Sequence, residues 1–187
     1  MPCNTSEKCP ACRLVFPRAE AGAGGEIGLA PERLVAINAG EEAALGPHAA
    51  AEALPAAHER LQVNERGEYR HLGYLLDLGG ARIYHSGDCV EYAGLADALR
   101  ERGVQVALLP VNGRDEYRAA RGILGNFTFD EAVSLCERAG IDVMIAHHWG
   151  MFAFNTVDPA ELRAAVAALR SPVRVLLPSV ETALVIA

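Results

Sequence analysis

The stretch Val104–Val111 constrains this chain most, because every residue in it except Gln105 is apolar. A run of that kind reads as a strand buried on both faces. Val143–Ala146 reads as a second such strand. Helical patterns alternate with these strands. Glu91–Arg102 places Tyr92, Leu95, Ala96 and Leu99 at helical spacing, and Gly103 ends it. Thr128 with Glu131 three residues on is a capping-box pattern, opening a helix over Phe129–Ala139 that Gly140 terminates. Asp158 caps a further helix with Pro159 at its first position, running to Arg170. Arg174–Leu177 and Thr182–Ile186 read as the last strands.

The earlier part reads as β-rich. Arg13–Phe16 is a short strand closed by Pro17, and Leu34–Asn38 is a second. Ala19–Gly28 is a weak helix or a loop, since its glycines disfavour helix. Ala39–Glu42 reads as a turn. His48–Ala57 is ambiguous, with alanines that favour helix and Pro55 near its end. His71–Leu78 and Ala81–Ser86 flank Gly79-Gly80, which reads as a β-hairpin. A β-rich first part followed by alternating helix and strand gives a layered α/β or α+β domain. No repeat, linker or second domain is visible. Residues 1–12 are polar, punctuated by Cys and Pro, and are expected to be loose.

Composition excludes several classes. The 187 residues suffice for one domain with a sizeable core, and 51% hydrophobic with 22% charged residues is an ordinary globular balance. A net charge of −7 with no basic stripe argues against a nucleic-acid surface. No apolar run approaches the roughly 18–20 residues of a membrane span. Met1-Pro2-Cys3-Asn4 does not open a signal peptide, so the cytoplasm is the expected location. Cys89 and Cys136 read as small core residues. Cys9 and Cys12 have C-x-x-C spacing with Cys3 nearby, but a closed zinc site needs four ligands and no second C-x-x-C exists. Nothing suggests a disulfide scaffold.

Three segments carry candidate chemistry. Tyr84-His85-Ser86-Gly87-Asp88 ends a strand in a glycine turn and a carboxylate; Met144 to Gly150 ends another in His147-His148; Pro55-Ala56-Ala57 leads to His58. Imidazole and carboxylate at strand ends suit zinc, manganese or iron, and one Asp can bridge two cations. A lone histidine after a strand is more often a surface or hydrogen-bonded residue than a ligand.

From about Arg13 to about Pro159 the chain resembles the later part of metallo-β-lactamase-fold hydrolases of the L-ascorbate-6-phosphate lactonase type. The resemblance is carried by Pro55 to Glu59, Leu72-Gly73-Tyr74, Tyr84 to Asp88, Leu109 to Arg114, Gly125 to Thr128, and His148 to Phe152 with Asn155-Thr156. It implies the C-terminal half of an αββα sandwich over residues 13–187, with the first half missing. It implies His58, Asp88 and His148 as ligands of a divalent metal, zinc or manganese, with Asp88 bridging two ions in complete members. Asp88 and His148 would then be catalytic. His147 would stand behind the ligands or replace one. Asn112, Arg114 and Asn126 would line the pocket mouth and bind substrate, although turn formation at a strand end explains them equally well. The implied activity is hydrolysis of a lactone, ester or phosphoester, with a phosphorylated sugar lactone as the nearest small-molecule substrate.

One departure matters. The fold's first motif, His-x-His-x-Asp-His, is absent: the six histidines are His48, His58, His71, His85, His147 and His148, and no two are spaced i, i+2. The expectation is therefore a truncated, impaired enzyme. The alternatives are one half of a split enzyme, partnered by a complementary N-terminal half or a second copy, and a non-catalytic binding or scaffold protein.

Overall fold

The protein is described here by a computed structural model covering residues 12–24, 29–179, 183 and 185. The buried apolar runs organise it. Val106–Pro110 and Val143–His147 lie side by side as parallel strands, β7 and β8. The others are β1 (Leu14–Pro17), β2 (Leu34–Ile37), β3 (Glu42–Gly46), β4 (Ala49–Pro55), β5 (Leu72–Leu78), β6 (Ala81–His85) and β9 (Arg174–Leu176). Strands β3 to β9 form a seven-stranded sheet in sequence order, antiparallel from β3 to β6 and parallel from β6 to β9. Strands β1 and β2 pair in parallel as a separate small sheet. The helices are α1 (Ala21–Gly24), α2 (Leu95–Glu101), α3 (Glu116–Ala119), α4 (Phe129–Ala139) and α5 (Pro159–Ala168). The expected layered α/β class is the one observed.

Alternation along the strands builds the layers. In β4, Leu54 joins the large core formed with α2, α4 and α5, while its neighbour Ala53 joins a smaller core against β1 and β2. In β5, Leu75 and Leu72 divide in the same way. Tyr84, Ala107 and Met144 are opposed in register across β6, β7 and β8, and all three are fully buried on the helical side. Cys89 and Cys136 are buried in that core, as small apolar residues should be.

Several elements differ from the sequence reading. The ambiguous Ala-rich segment His48–Ala57 contains strand β4, which pairs with β3 on one side and along its whole length with β5 on the other. Tertiary pairing overrides the helix preference of alanine here. The turn at Ala39–Glu42 centres on Gly40, with φ 84°, and runs straight into β3, which the sequence did not signal. Helix α2 begins only at Leu95, since Gly94 sits in the left-handed region at φ 90°. Helix α5 stops at Ala168 rather than Arg170. The single-turn α3, capped by Asp115 accepting from the Arg118 N–H, was not anticipated. The Gly79-Gly80 hairpin, with φ 69° and 102°, and the Thr128–Glu131 capping box form as expected.

The expected strand Thr182–Ile186 and the loose stretch 1–11, with Cys3 and Cys9, lie outside the described residues. Cys12 is disulfide-bonded, so its sulfur is not a free zinc ligand. Among the described residues, no helix is long and apolar enough to cross a membrane.

Candidate functional site

The ends of β4, β6 and β8 carry the candidate residues His58, Asp88 and His148. Beyond β6, Ser86 N–H still bonds Leu108 O at 3.2 Å. Gly87 then turns the chain with φ 63°, its N–H donating to His85 Nδ1 at 3.0 Å. Asp88 therefore lies beyond the end of β6. Beyond β8, His148 adopts φ 59°, a left-handed conformation rare for a residue with a side chain. This places His148 Nε2 3.3 Å from Asp88 Oδ1. Among the described residues, one other non-glycine residue has positive φ: Glu59, at 67°, immediately after His58. Backbone strain thus falls on His148 and on the residue that follows His58.

His58 and Asp88 share an open pocket of about 280 Å³ with Arg70, His71 and Tyr74. The rings of His58 and His71 meet edge to face with centroids 5.3 Å apart. Burial lowers the His71 pKa, and the neighbouring His58 and Arg70 lower it further. His71 was not among the sequence candidates. It stands in the pocket because Ala56 N–H bonds His71 O, continuing the β4–β5 ladder by one step. Only the strand register could have revealed it.

A second pair lies next to the first. His85 and His147 have ring centroids 4.8 Å apart and planes tilted by 37°. Burial pushes the His147 imidazole down to about 4, with His85 and His148 pushing the same way and Asp88 opposing. Burial also lowers His85. His147 Nε2 and His148 Nδ1 are buried without a hydrogen-bond partner. His148 thus touches the Asp88 carboxylate, His58 and His71 share its pocket, and its charge acts on His71, His85 and His147.

Asn112, Arg114 and Asn126 belong to a different group. Asn112 and Asn126 are each only 1% exposed. Asn126 Nδ2 donates to Asn112 Oδ1, and Asn112 Nδ2 donates to Asn155 Oδ1, both at 2.9 Å. Arg118, which the sequence reading passed over, donates through Nη1 to Asn112 O and Asn155 Oδ1, and through Nε to Asp115. Arg114 bonds both carboxylate oxygens of Glu131 and the carbonyl of Asn126. Asn112 and Arg114 border a second opening of about 310 Å³, whose lining includes none of the histidines.

The donors can be tested against a two-metal centre. Orphaned nitrogens on His147 and His148 and the Asp88–His148 contact are the kind of groups an ion would satisfy. Yet among the described residues no three His, Cys, Asp or Glu side chains converge as a metal-holding group. The described residues do not assemble a two-metal complement.

Residues 13–149 match the family described as the beta-lactamase superfamily domain. A metal-dependent hydrolase of Symbiobacterium thermophilum is 30% identical over 97 residues, which is 50% of this chain and 39% of that protein, so the match spans well under half of the relative. Among solved structures, a metallo hydrolase of the hyperthermophilic archaeon Ignicoccus hospitalis superposes with TM-score 0.65 at 18% identity, over 92% of this chain and 67% of the other. An isothiocyanate hydrolase from Delia radicum gut bacteria gives TM-score 0.66 at 12% identity, over 89% and 64% of the two chains. These structures share the fold. With the family match covering most of its length, the chain belongs to the beta-lactamase superfamily.

Proposed function

We propose that this chain is a metal-dependent hydrolase acting on a small lactone, ester or phosphoester, with a phosphorylated sugar lactone as the closest chemical type. The observation that carries the reading is the contact between Asp88 Oδ1 and His148 Nε2 at the ends of two strands that flank β7. A carboxylate against Nε2 holds the proton on that nitrogen and leaves the lone pair on Nδ1. A ring held in this way is positioned to offer Nδ1, which is buried and without a partner, to a cation. In this reading Asp88 and His148 are catalytic, and His58, Asp88 and His148 are donors to a divalent ion, zinc or manganese. Asn112 and Arg114, which border the second opening, are the proposed substrate contacts, with Asn126 acting through its bond to Asn112 and Glu131 fixing the plane of the Arg114 guanidinium. The sulfur-free donor set of imidazole and carboxylate suits either ion. Turnover is weak in the isolated chain, because no His-x-His-x-Asp-His occurs in its sequence.

The test is metal content together with hydrolysis of lactone, ester and phosphoester panels in added zinc or manganese. The expected result is slow turnover of one substrate class that disappears in Asp88→Ala. No turnover by the metal-supplied chain, or equal turnover by Asp88→Ala, overturns the reading.

The lack of a converging donor trio among the described residues favours a second reading, in which a complementary N-terminal half or a second copy brings the remaining histidines. Turnover that rises steeply with protein concentration, or only on adding such a half, selects it.

A further inference from the structure

Parallel strands occur almost only with both faces covered, and the unbroken apolar run Val104–Val111 is of that kind. In β6–β9 one face has its cover: Tyr84, Ala107 and Met144 are fully buried on the helical side. The opposite face carries Ile83, Val106 and Val143 in one register row, and Leu108, Ile145 and Leu176 in the next. Ile83, Leu108, Ile145 and Leu176 are only partly buried, and none of the six belongs to either apolar core.

The same side of the sheet is covered elsewhere. Leu72 and Leu76 lie on one face of β5, and Leu76 pairs with Ile83. At the Leu72 end, Ile37 of β2 packs with Ala43, Ala53 and Leu72, so β1 and β2 form a second layer over β3–β5. Among the described residues that layer stops there, and four parallel strands continue the face beside it. Their positions on this side hold no Lys, Asp or Glu, and one Arg, Arg174 at the β9 rim.

We propose that this face binds the same face of a second copy of the chain, about a two-fold axis that runs along the strands between β7 and β8. An uncharged apolar face meets itself without unpaired charge, which suits an isologous contact. The β1–β2 layer selects the axis. With an axis across the strands, β3–β5 of the second copy would occupy the space that β1 and β2 already fill. With the axis along the strands, β9 to β6 of the second copy lie over β6 to β9. Its β9 then stands beside the β1–β2 layer and continues it, and the reverse holds on the other side. Each sheet gains its missing cover at the roughly 10 Å spacing of packed sheets. Leu108 faces Ile145 of the second copy and Ile145 faces its Leu108, because the two residues are register partners on the strands flanking the axis. The strands of both copies run the same way, so both site ends share one edge of the dimer. His147 of each copy stands there beside the axis.

The experiment is sedimentation velocity of the full chain over a dilution series. A dimer that dissociates on dilution is expected. Leu108→Glu and Ile145→Glu each place a carboxylate in the contact and should weaken the dimer by about tenfold or more. Leu124→Glu, at an exposed leucine outside this face, should leave it unchanged. Leu108→Thr and Ile145→Thr serve if the glutamate variants do not fold. A chain carrying Leu108→Glu with Ile145→Glu, mixed with one carrying Leu108→Lys with Ile145→Lys, should dimerise only in the mixture. A monomer at every concentration, growth beyond two copies, or a dimer indifferent to residues 108 and 145 overturns the proposal. A monomer that associates only with a complementary N-terminal half does so as well. Hydrolysis is scored separately: a dimer of this kind with no turnover in any panel sinks the hydrolase reading alone, and Asp88-dependent turnover by a monomer does the reverse.

Discussion

The phenol of Tyr84 lies so close over Gly73 that a β-carbon at residue 73 would stand 2.7 Å from its hydroxyl oxygen and 2.9 Å from a ring carbon. Gly73 is therefore fixed by a neighbour's bulk, not by its own backbone angles. Tyr84 is fully buried and its hydroxyl has no partner, so the ring has nowhere to retreat. Gly73→Ala is expected to cost about 1–3 kcal/mol, as other overpacked cores do, and to lower the thermal midpoint. Tyr84→Phe removes an unsatisfied hydroxyl at nearly constant volume and should hold or raise that midpoint. Thermal denaturation of both variants checks the pair.

A tighter constraint sits at Gly125. An added β-carbon would meet the Gly113 carbonyl oxygen at 2.6 Å and Arg114 Cα at 2.8 Å, both backbone atoms that cannot rotate aside. Gly125→Ala must part these two segments, breaking the bonds Asn126 N–H to Gly113 O and Gly113 N–H to Phe127 O. The expected loss is about 3 kcal/mol in urea unfolding. A wild-type midpoint would contradict this packing.

Arg118 is a buried cation tied to Asp115, Asn112 and Asn155. Arg118→Ala removes one donor from each of these acceptors, at an expected cost of about 2–4 kcal/mol. Asn155→Ala removes the shared acceptor and should cost less. The double variant should fall short of the sum of the two, because both act on one network. A double-mutant cycle by denaturant titration measures the shortfall, and strict additivity would show that the two side chains act independently.

Acid should destabilise the metal-free fold through its buried imidazoles. His147 is depressed to about 4, and His71 and His85 are lowered as well. Unfolded, each returns to about 6.5. Between these values the unfolded chain binds more protons than the native one, so stability falls as pH drops from about 6.5 toward 4. His147→Asn should flatten that fall without changing the behaviour above pH 7. Denaturant midpoints measured across the range in chelator-containing buffer give the slope, and identical slopes for the two proteins would remove His147 from the account.

Much of the fold was legible because local chemistry and tertiary pairing agree. The Thr128–Glu131 box, the Gly140 stop and the Asp158-Pro159 start each satisfy backbone groups within a few residues, so they form wherever the helix packs. Strand β4 was illegible because its alanines carry no β signal; β3 and β5 impose its conformation. The site divides along the same line. His58, Asp88 and His148 stand at strand ends that the resemblance marks. His71 and Arg118 become visible only through register and burial, which the order of residues does not contain. Asn112 and Asn126 show the converse: the sequence flagged them, and the structure places both in a buried, mutually bonded group.

The left-handed backbone of His148, at φ 59°, bears on how the residue should be probed. Alanine at this position would lose the imidazole and keep the strain, so an inactive alanine variant would mix two causes. Asparagine tolerates the same backbone angles and carries no imidazole. Glycine relieves the strain and carries nothing. Comparing the two separates what the ring does from what the turn requires.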